Sequence, residues 1–243
     1  MEKINVKIDR YRHEIKYLCN KNTACYLSNA LAAVMKKDSN AGATGSYMIE
    51  SLYFDDYVRT CARENIDGTD PRSKWRIRVY NNNMDMIRLE CKQKYNGMGK
   101  KRSCIINKEE LDALMAGDSI LTEYIGREEL LDEFISKIIG WGYRPSIIVS
   151  YEREPYISLL GNTRITLDRK IVSSDEFSCF GKRKTYGRSV LSEDMLVLEV
   201  KYDEFLPDAY RQIISSALLE RTAFSKYYLC YEIGKNRFLH SEF

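Results

Sequence analysis

Histidine and proline are scarce in this 243-residue chain, which contains two of the first and four of the second. The two histidines, His13 and His240, are too few for a histidine-rich metal site. The seven cysteines are scattered and never spaced as CxxC, so the sequence predicts neither a zinc ribbon nor a disulfide framework. Because the N-terminus is also polar and shows no signal peptide, we expect a reduced, cytoplasmic protein.

Long apolar runs and nucleotide-binding loops are missing as well. No apolar run approaches the roughly 18 residues of a membrane helix, so we expect no membrane segment in the chain itself. The sequence does not exclude a membrane protein on another chain as a partner. Neither a Walker A loop nor a GxGxxG loop is present. The net charge is only +3, from 38 basic and 35 acidic residues, so bulk charge does not indicate a nucleic-acid binder.

Alternation of apolar and charged residues is what the sequence has in abundance. Period-two alternation predicts eight strands: Tyr11–Leu18, Tyr47–Phe54, Lys74–Tyr80, Met86–Tyr95, Lys100–Ile106, Ser146–Tyr156, Thr163–Ile171 and Met195–Tyr202. Helical spacing and capping signals predict four helices: Asn22–Met35, Asn107–Met115, Thr122–Ile139 and Asp208–Leu219. We therefore expect one α+β domain over residues 1–243 with a large antiparallel sheet.

The same face of nearly every strand carries arginine, lysine and glutamate. The sets are Arg12, Glu14 and Lys16; Lys74, Arg76 and Arg78; Arg88, Glu90, Lys92 and Lys94; Lys100 and Arg102; Tyr151 and Arg153; Arg164, Thr166, Asp168 and Lys170; Glu199 and Lys201. For a single strand, a solvated sheet face explains this pattern. Over seven strands, a flat face of this kind would be rich in like-charge repulsion. We therefore expect an eight-stranded antiparallel barrel with the charges inside, an anion in the tunnel and helices packed outside.

Phosphate chains suit such an interior. Arginine binds phosphate with two parallel hydrogen bonds, and lysine supplies point charges. The glutamates Glu199, Glu90 and Glu14 would instead hold a hard divalent ion, Mn²⁺ or Mg²⁺. For Glu14 and Glu90 an ion pair with neighbouring cations is the open alternative. No nucleophile-plus-base pair is evident, which fits phosphoryl transfer, because that reaction depends chiefly on positioning and charge neutralisation.

Eight short motifs resemble one known family. They are Arg12-His-Glu-Ile-Lys-Tyr17, Ser51-Leu-Tyr-Phe-Asp55, Trp75-Arg-Ile-Arg78, Leu89-Glu-Cys-Lys-Gln-Lys94, Tyr151-Glu-Arg-Glu-Pro-Tyr156, Thr163-Arg-Ile-Thr-Leu-Asp168, Leu198-Glu-Val-Lys201 and Ser225-Lys-Tyr227. In this order they resemble the VTC domain, the polyphosphate polymerase module of the triphosphate tunnel metalloenzyme superfamily. The resemblance implies an eight-stranded tunnel that transfers phosphate from ATP to a growing polyphosphate chain with a divalent metal.

The resemblance and the shared faces together give the expected site. The expected catalytic residues are Lys16, Arg76, Arg78, Lys92, Arg153, Arg164 and Lys226. The expected phosphate contacts are Lys94, Lys100, Arg102, Tyr151, Lys201 and Ser225. Glu199 resembles the family's metal-binding glutamate, and Glu90 and Glu14 are the further metal candidates.

Three other functions remain open at this point. The same tunnel could hydrolyse triphosphate or polyphosphate with a positioned water, or it could bind polyphosphate without catalysis. Nucleic-acid binding would need an open basic face with exposed aromatic side chains. An enclosed tunnel argues against it, so we expect ATP and polyphosphate, and no nucleic acid, as partners.

Overall fold

The structure is a computed structural model that describes residues 11–182 and 187–235. The strands are β1 (His13–Asn20), β2 (Lys36–Lys37), β3 (Tyr47–Asp55), β4 (Arg72–Tyr80), β5 (Ile87–Tyr95), β6 (Met98–Ile106), β7 (Arg144–Ser158), β8 (Thr163–Ser174), β9 (Arg188–Ser189) and β10 (Met195–Tyr202). The helices are α1 (Lys21–Val34), α2 (Thr60–Ile66), α3 (Lys108–Ala116), α4 (Glu129–Trp141), α5 (Asp208–Ser216) and α6 (Lys226–Lys235). His240 lies outside the described residues.

The strands form a large antiparallel sheet in the order β1-β10-β8-β7-β3-β4-β5-β6. The short strands β2 and β9 pair with β7 and β8. The two outer strands of this order approach each other at a single bridge, where Arg12 and Gly99 exchange hydrogen bonds of 3.0 and 3.1 Å. Within the described residues no ladder of hydrogen bonds joins β1 to β6. The predicted α+β fold is thus confirmed, while the sheet is not closed into a hydrogen-bonded barrel.

One face of the sheet is apolar and covered by helices. Trp75 is fully buried on β4, and its ring stacks on Phe134 of α4 at 4.9 Å. A second apolar cluster joins α1 and α5 to β10, with Leu27 and Leu198 both fully buried. Each such side chain contributes about 1.5–3 kcal/mol when it leaves water. The apolar core therefore lies between this sheet face and the helices.

All eight predicted strands are present, with bounds that differ by a few residues. The predicted capping box is also present, because Asn107 accepts from the Glu110 amide and Glu110 accepts from the Asn107 amide. Helix α4 begins at Glu129, later than the predicted Thr122, since Gly126 has a φ of 92° that interrupts a helix. No helix in the described residues is long and apolar enough to cross a membrane.

Helices α2 and α6 were not predicted, and α6 lies on the charged side of the sheet. Its Lys226 binds Asp168 of β8, and its Tyr227 ring packs on Tyr53 of β3 at 4.7 Å. The expectation that all helices pack outside is therefore corrected. The reason is physical: α6 carries both a lysine and apolar side chains, so it can cover a face that is partly charged and partly aromatic.

Candidate functional site

The charged residues of β1, β4, β5 and β10 lie on one side of the sheet, called here the inner face. Strand register places Lys16 opposite Glu199 and Arg76 opposite Glu90. Lys92 of β5 donates to Glu14 of β1 at 2.8 Å, although these strands are far apart in the sheet order. The sheet therefore curls until its two edges come together, and the inner face is concave.

Glu90 is the centre of one charge cluster. It is fully buried and accepts from Arg76 at 2.6 and 2.7 Å and from Lys101 at 2.7 Å, with Arg78 at 3.6 Å. Burial alone would raise the pKa of Glu90, but these cations hold it well below its ordinary value. The carboxylate thus stays ionised and compensates three cations.

Glu14 and Glu199 form a second cluster on neighbouring strands. Glu14 accepts from Lys92 at 2.8 Å and pairs with Lys16 at 3.0 Å. Lys201 bonds Glu199 and lies 3.7 Å from Glu14, so one lysine links the two carboxylates. Burial favours the neutral acids, yet the surrounding lysines hold the pKa of each glutamate well below its ordinary value.

Asp168 organises a third cluster where α6 meets the sheet. It accepts two hydrogen bonds of 2.7 Å from Arg153 and pairs with Lys226 at 2.6 Å. The Lys226 and Arg153 cations lie 5.1 and 5.3 Å from the centre of the Tyr151 ring. Three of the predicted residues thus meet around one buried aspartate, for which the sequence had suggested no role.

The segment before α6 also reaches the inner face. Lys16 donates to the Phe224 carbonyl at 3.0 Å, and Lys74 donates to the Ser225 hydroxyl at 3.3 Å. Ser225, which was predicted to contact phosphate, therefore lies beside cations of β1 and β4.

Tyrosine and serine hydroxyls orient the arginines, and sequence reasoning missed them. Arg76 donates to the Tyr53 hydroxyl at 2.9 Å, and Arg78 donates to the Ser51 hydroxyl at 2.9 Å. Arg164 donates to Asp38 at 2.8 Å and to the Tyr47 hydroxyl at 2.7 Å. The alternation of Tyr47, Ser51 and Tyr53 along β3 was the signal that could have identified these partners.

The structure places two predicted residues, Lys100 and Arg102, off the inner face. Lys92 is paired with Lys101 across β5 and β6, so Lys100 and Arg102 point to the opposite side. Arg102 there pairs with Glu133 of α4 at 2.5 Å. Lys101 is the residue that reaches Glu90. Lys94 lies opposite Arg72 at the end of the same inner row.

A divalent metal fits Glu14 and Glu199 better than Glu90. In the described residues no group of three or more histidine, cysteine, aspartate or glutamate side chains is arranged to hold an ion. Mg²⁺ is commonly bound by one or two carboxylates together with substrate phosphates. Glu14 and Glu199 can supply the two carboxylates. The buried Thr166 hydroxyl, opposite Glu199 in register, has no hydrogen-bond partner among the described residues. Both oxygens of Glu14 and of Glu90 are held by cations, but Glu90 fits less well because it is fully buried, whereas the Glu14 side chain is 16% exposed.

Comparisons with known proteins agree with this architecture. The sequence profile of the VTC domain family matches residues 11–234. A candidate adenylyl cyclase from Hippeastrum, whose structure is described as revealing a dominant triphosphatase activity, has 16% identity and a TM-score of 0.56, covering 92% of this chain and 96% of that one. A candidate adenylate cyclase from Bacillus halodurans has 12% identity and a TM-score of 0.52, covering 89% and 95%. No curated protein matches the sequence. At these identities the two structures show a common fold alone.

Proposed function

The chain belongs to the VTC domain family, and we propose that it is a metal-dependent polyphosphate polymerase that uses ATP. Membership supports a function related to triphosphate or polyphosphate. The observation that carries the proposal is the excess of cations on the concave inner face. Among the described residues, nine cations surround the four carboxylates Glu14, Glu90, Asp168 and Glu199, and Arg72 and Lys94 extend the same rows; the nine are Lys16, Lys74, Arg76, Arg78, Lys92, Lys101, Arg153, Lys201 and Lys226.

The inner face suits phosphoryl transfer because that reaction needs positioning and charge neutralisation more than covalent help. Arg76 and Arg78 are held by Tyr53 and Ser51, so their guanidinium groups are already oriented for phosphate oxygens. Lys16, Lys92, Arg153 and Lys226 neutralise further charge from four other elements, β1, β5, β7 and α6. Arg164, which pairs with Asp38 and is partly exposed, would contact phosphate at the end of the polyphosphate chain.

The proposed metal is Mn²⁺ or Mg²⁺, held by Glu14 and Glu199. When bound, such an ion polarises phosphate oxygens and neutralises charge as the phosphoryl group transfers. Lys201, which now links the two glutamates, would then turn its ammonium to a phosphate oxygen. The protein's own contribution is thus to bind, orient and neutralise.

Hydrolysis is the second candidate function. The observation that favours it is the Hippeastrum protein, which shares the fold and is described by its triphosphatase activity. The same cations would bind the triphosphate, and a water would take the place of the acceptor phosphate. A concave face partly covered by α6 favours either reaction over nucleic-acid binding, which needs an open basic surface.

The experiment that decides between these functions uses the purified chain with ATP and Mn²⁺ or Mg²⁺. Products are separated on a gel that resolves phosphate chains, and ADP and free phosphate are measured in parallel. Chains formed together with ADP support the polymerase, while phosphate without chains identifies a hydrolase. If ATP stays intact and polyphosphate still raises the melting temperature, the protein is a binding subunit.

Two variants assign the roles within that assay. Glu199→Gln should abolish turnover and leave polyphosphate binding nearly unchanged, because a metal ligand is lost and the phosphate-binding cations remain. Arg78→Ala should abolish polyphosphate binding while the chain stays folded. Lys137→Ala, on the opposite side of the sheet in α4, is the matched control for loss of a cation. Turnover that survives in Glu199→Gln would make Glu199 a structural ion-pair partner.

A further inference from the structure

Lys74 differs from the neighbouring lysines of the inner face in what it contacts. Lys92, Lys101 and Lys226 each pair with a carboxylate, at 2.8, 2.7 and 2.6 Å. Lys74 forms no ion pair with any carboxylate among the described residues. Its Nζ donates instead to two neutral oxygens, Asn65 Oδ1 at 2.5 Å and Ser225 Oγ at 3.3 Å.

The surroundings of Lys74 disfavour a positive charge. Burial comes first, followed by the like charges of Lys92 on β5, Lys16 on β1 and Arg72 on its own strand, and together they lower the pKa of Lys74 to about 7. Two neighbours favour the charged form, but more weakly than burial disfavours it: Cys61 of α2, and the Tyr227 ring of α6, over which Nζ lies at 5.3 Å from the centre. Neither of them is a carboxylate, so burial and the like charges prevail.

The same position is well placed for a phosphate chain. Lys74 lies two residues before Arg76 on the inner face and opposite Lys92 in register. An ammonium has three donors, and two neutral acceptors use two of them. One donor therefore remains for a phosphate oxygen.

We propose that Lys74 is a further phosphate-binding residue that becomes an ammonium as the anion arrives, so that binding takes up one proton at this side chain. The amine takes the proton from solvent, and the new ammonium donates to a phosphate oxygen. The inference rests on the proposed function, because it requires that the inner face binds a phosphate chain. It adds a pH dependence of binding that is assigned to one residue.

The physical basis is linkage between proton and ligand. A polyanion beside Nζ favours the charged form and raises the pKa of Lys74 in the complex. Between the free and bound pKa values, each bound anion then requires one proton from solvent. Affinity should fall about tenfold per pH unit as pH rises through this interval.

The test is calorimetric titration with inorganic tripolyphosphate, without metal, at pH 8 in two buffers of different ionisation enthalpy. Tripolyphosphate exchanges protons of its own, so the informative quantity is the difference between the natural chain and Lys74→Arg. Arginine keeps its positive charge at every pH used and cannot take up the proton. We expect the natural chain to take up close to one proton more than Lys74→Arg, and its affinity to fall more steeply from pH 7 to pH 9.

Two further variants complete the design. Lys74→Met should bind tripolyphosphate more weakly than Lys74→Arg, because it lacks the charge at every pH. Lys137→Arg, on α4, should match the natural chain in both proton uptake and pH dependence. If the Lys74→Arg variant does not fold, NMR titration of the lysine Cε resonances in the natural chain gives the same information. One resonance should titrate near pH 7 and move to higher pH with tripolyphosphate.

Equal proton uptake and parallel pH dependence in the natural chain and Lys74→Arg would overturn the role of Lys74, while the proposed function would stand. A natural chain that does not bind tripolyphosphate at all would overturn the proposed function itself. The two failures are therefore distinguishable within a single set of titrations.

Discussion

At the scale of single residues, Glu90 stabilises the inner face before any ligand binds. It is fully buried and compensates Arg76, Arg78 and Lys101. Glu90→Gln keeps the shape of the side chain but leaves the buried cations without a counter-charge. Breaking such a cluster typically costs about 3–5 kcal/mol. We therefore expect a loss of this size in the free energy of unfolding, measured by urea denaturation.

Polyphosphate should restore part of that loss, because phosphate oxygens can take the place of the missing carboxylate. Glu133→Gln is the control, since Glu133 pairs with Arg102 at the surface and such pairs contribute about 0–1 kcal/mol. Equal losses in the two variants would show that Glu90 is not the residue that compensates the buried cations.

At the scale of elements, the β5–β6 hairpin decides which basic side chains meet the ligand. Its two-residue turn places Lys101 on the inner face and Arg102 on the helix-covered side. Lys101→Met should weaken polyphosphate binding, whereas Arg102→Met should leave it unchanged and lower stability by up to about 1 kcal/mol. Titration with polyphosphate measures the first effect, and thermal unfolding measures the second. Weaker binding in Arg102→Met alone would contradict the register.

This hairpin also shows where sequence reasoning succeeds and where it stops. Period-two alternation located all eight strands, because the side chains of a half-apolar sheet must alternate. The face assignment failed at Lys100 and Arg102, because it depends on how the turn aligns β6 with β5 and not on alternation alone. The turn residues Asn96 and Gly97 contained that information, since a two-residue loop fixes the partner of every later residue.

The position of α6 could not be predicted for a different reason. Asp55 and Tyr227 are 172 positions apart in sequence and meet through a single hydrogen bond of 2.6 Å. Nothing local in Ser225–Tyr227 indicates which sheet face the helix will cover. The motif was recognised, but its partners Asp168, Tyr53 and Asp55 come from tertiary structure.

That hydrogen bond gives a prediction about α6 itself. Both Tyr227 and Asp55 are buried, so Tyr227→Phe leaves a carboxylate oxygen less well satisfied, at a cost of about 1–3 kcal/mol. Because α6 also carries Lys226, polyphosphate affinity should fall as well. Tyr231→Phe on the same helix is the control, since Tyr231 contacts Arg59 and Tyr227 through its ring, which phenylalanine keeps. Hydrogen exchange of α6 amides should increase in Tyr227→Phe alone.

At the scale of the whole molecule, the ionised carboxylates make stability depend on pH in one direction. Glu14, Glu90 and Glu199 have pKa values held well below their ordinary value of 4.5. A carboxylate with a depressed pKa contributes stability above 4.5 and loses it as pH falls through the folded value. We expect the free energy of unfolding to fall steeply below about pH 4.5, and less steeply in Glu90→Gln. A profile with the same acid slope in both chains would contradict this assignment.

The inner carboxylates have one more consequence, which concerns selection between anions. A phosphate that binds must displace Glu14, Glu90, Asp168 or Glu199 from the cations they hold, so the face behaves like an ion-exchange resin already loaded with counterions. A single phosphate exchanges with one bound carboxylate and gains little. A long phosphate chain displaces several carboxylates at once, but it loses its translational and rotational entropy only once. Valence and length, more than the chemistry of any one phosphate, would then decide what this surface retains.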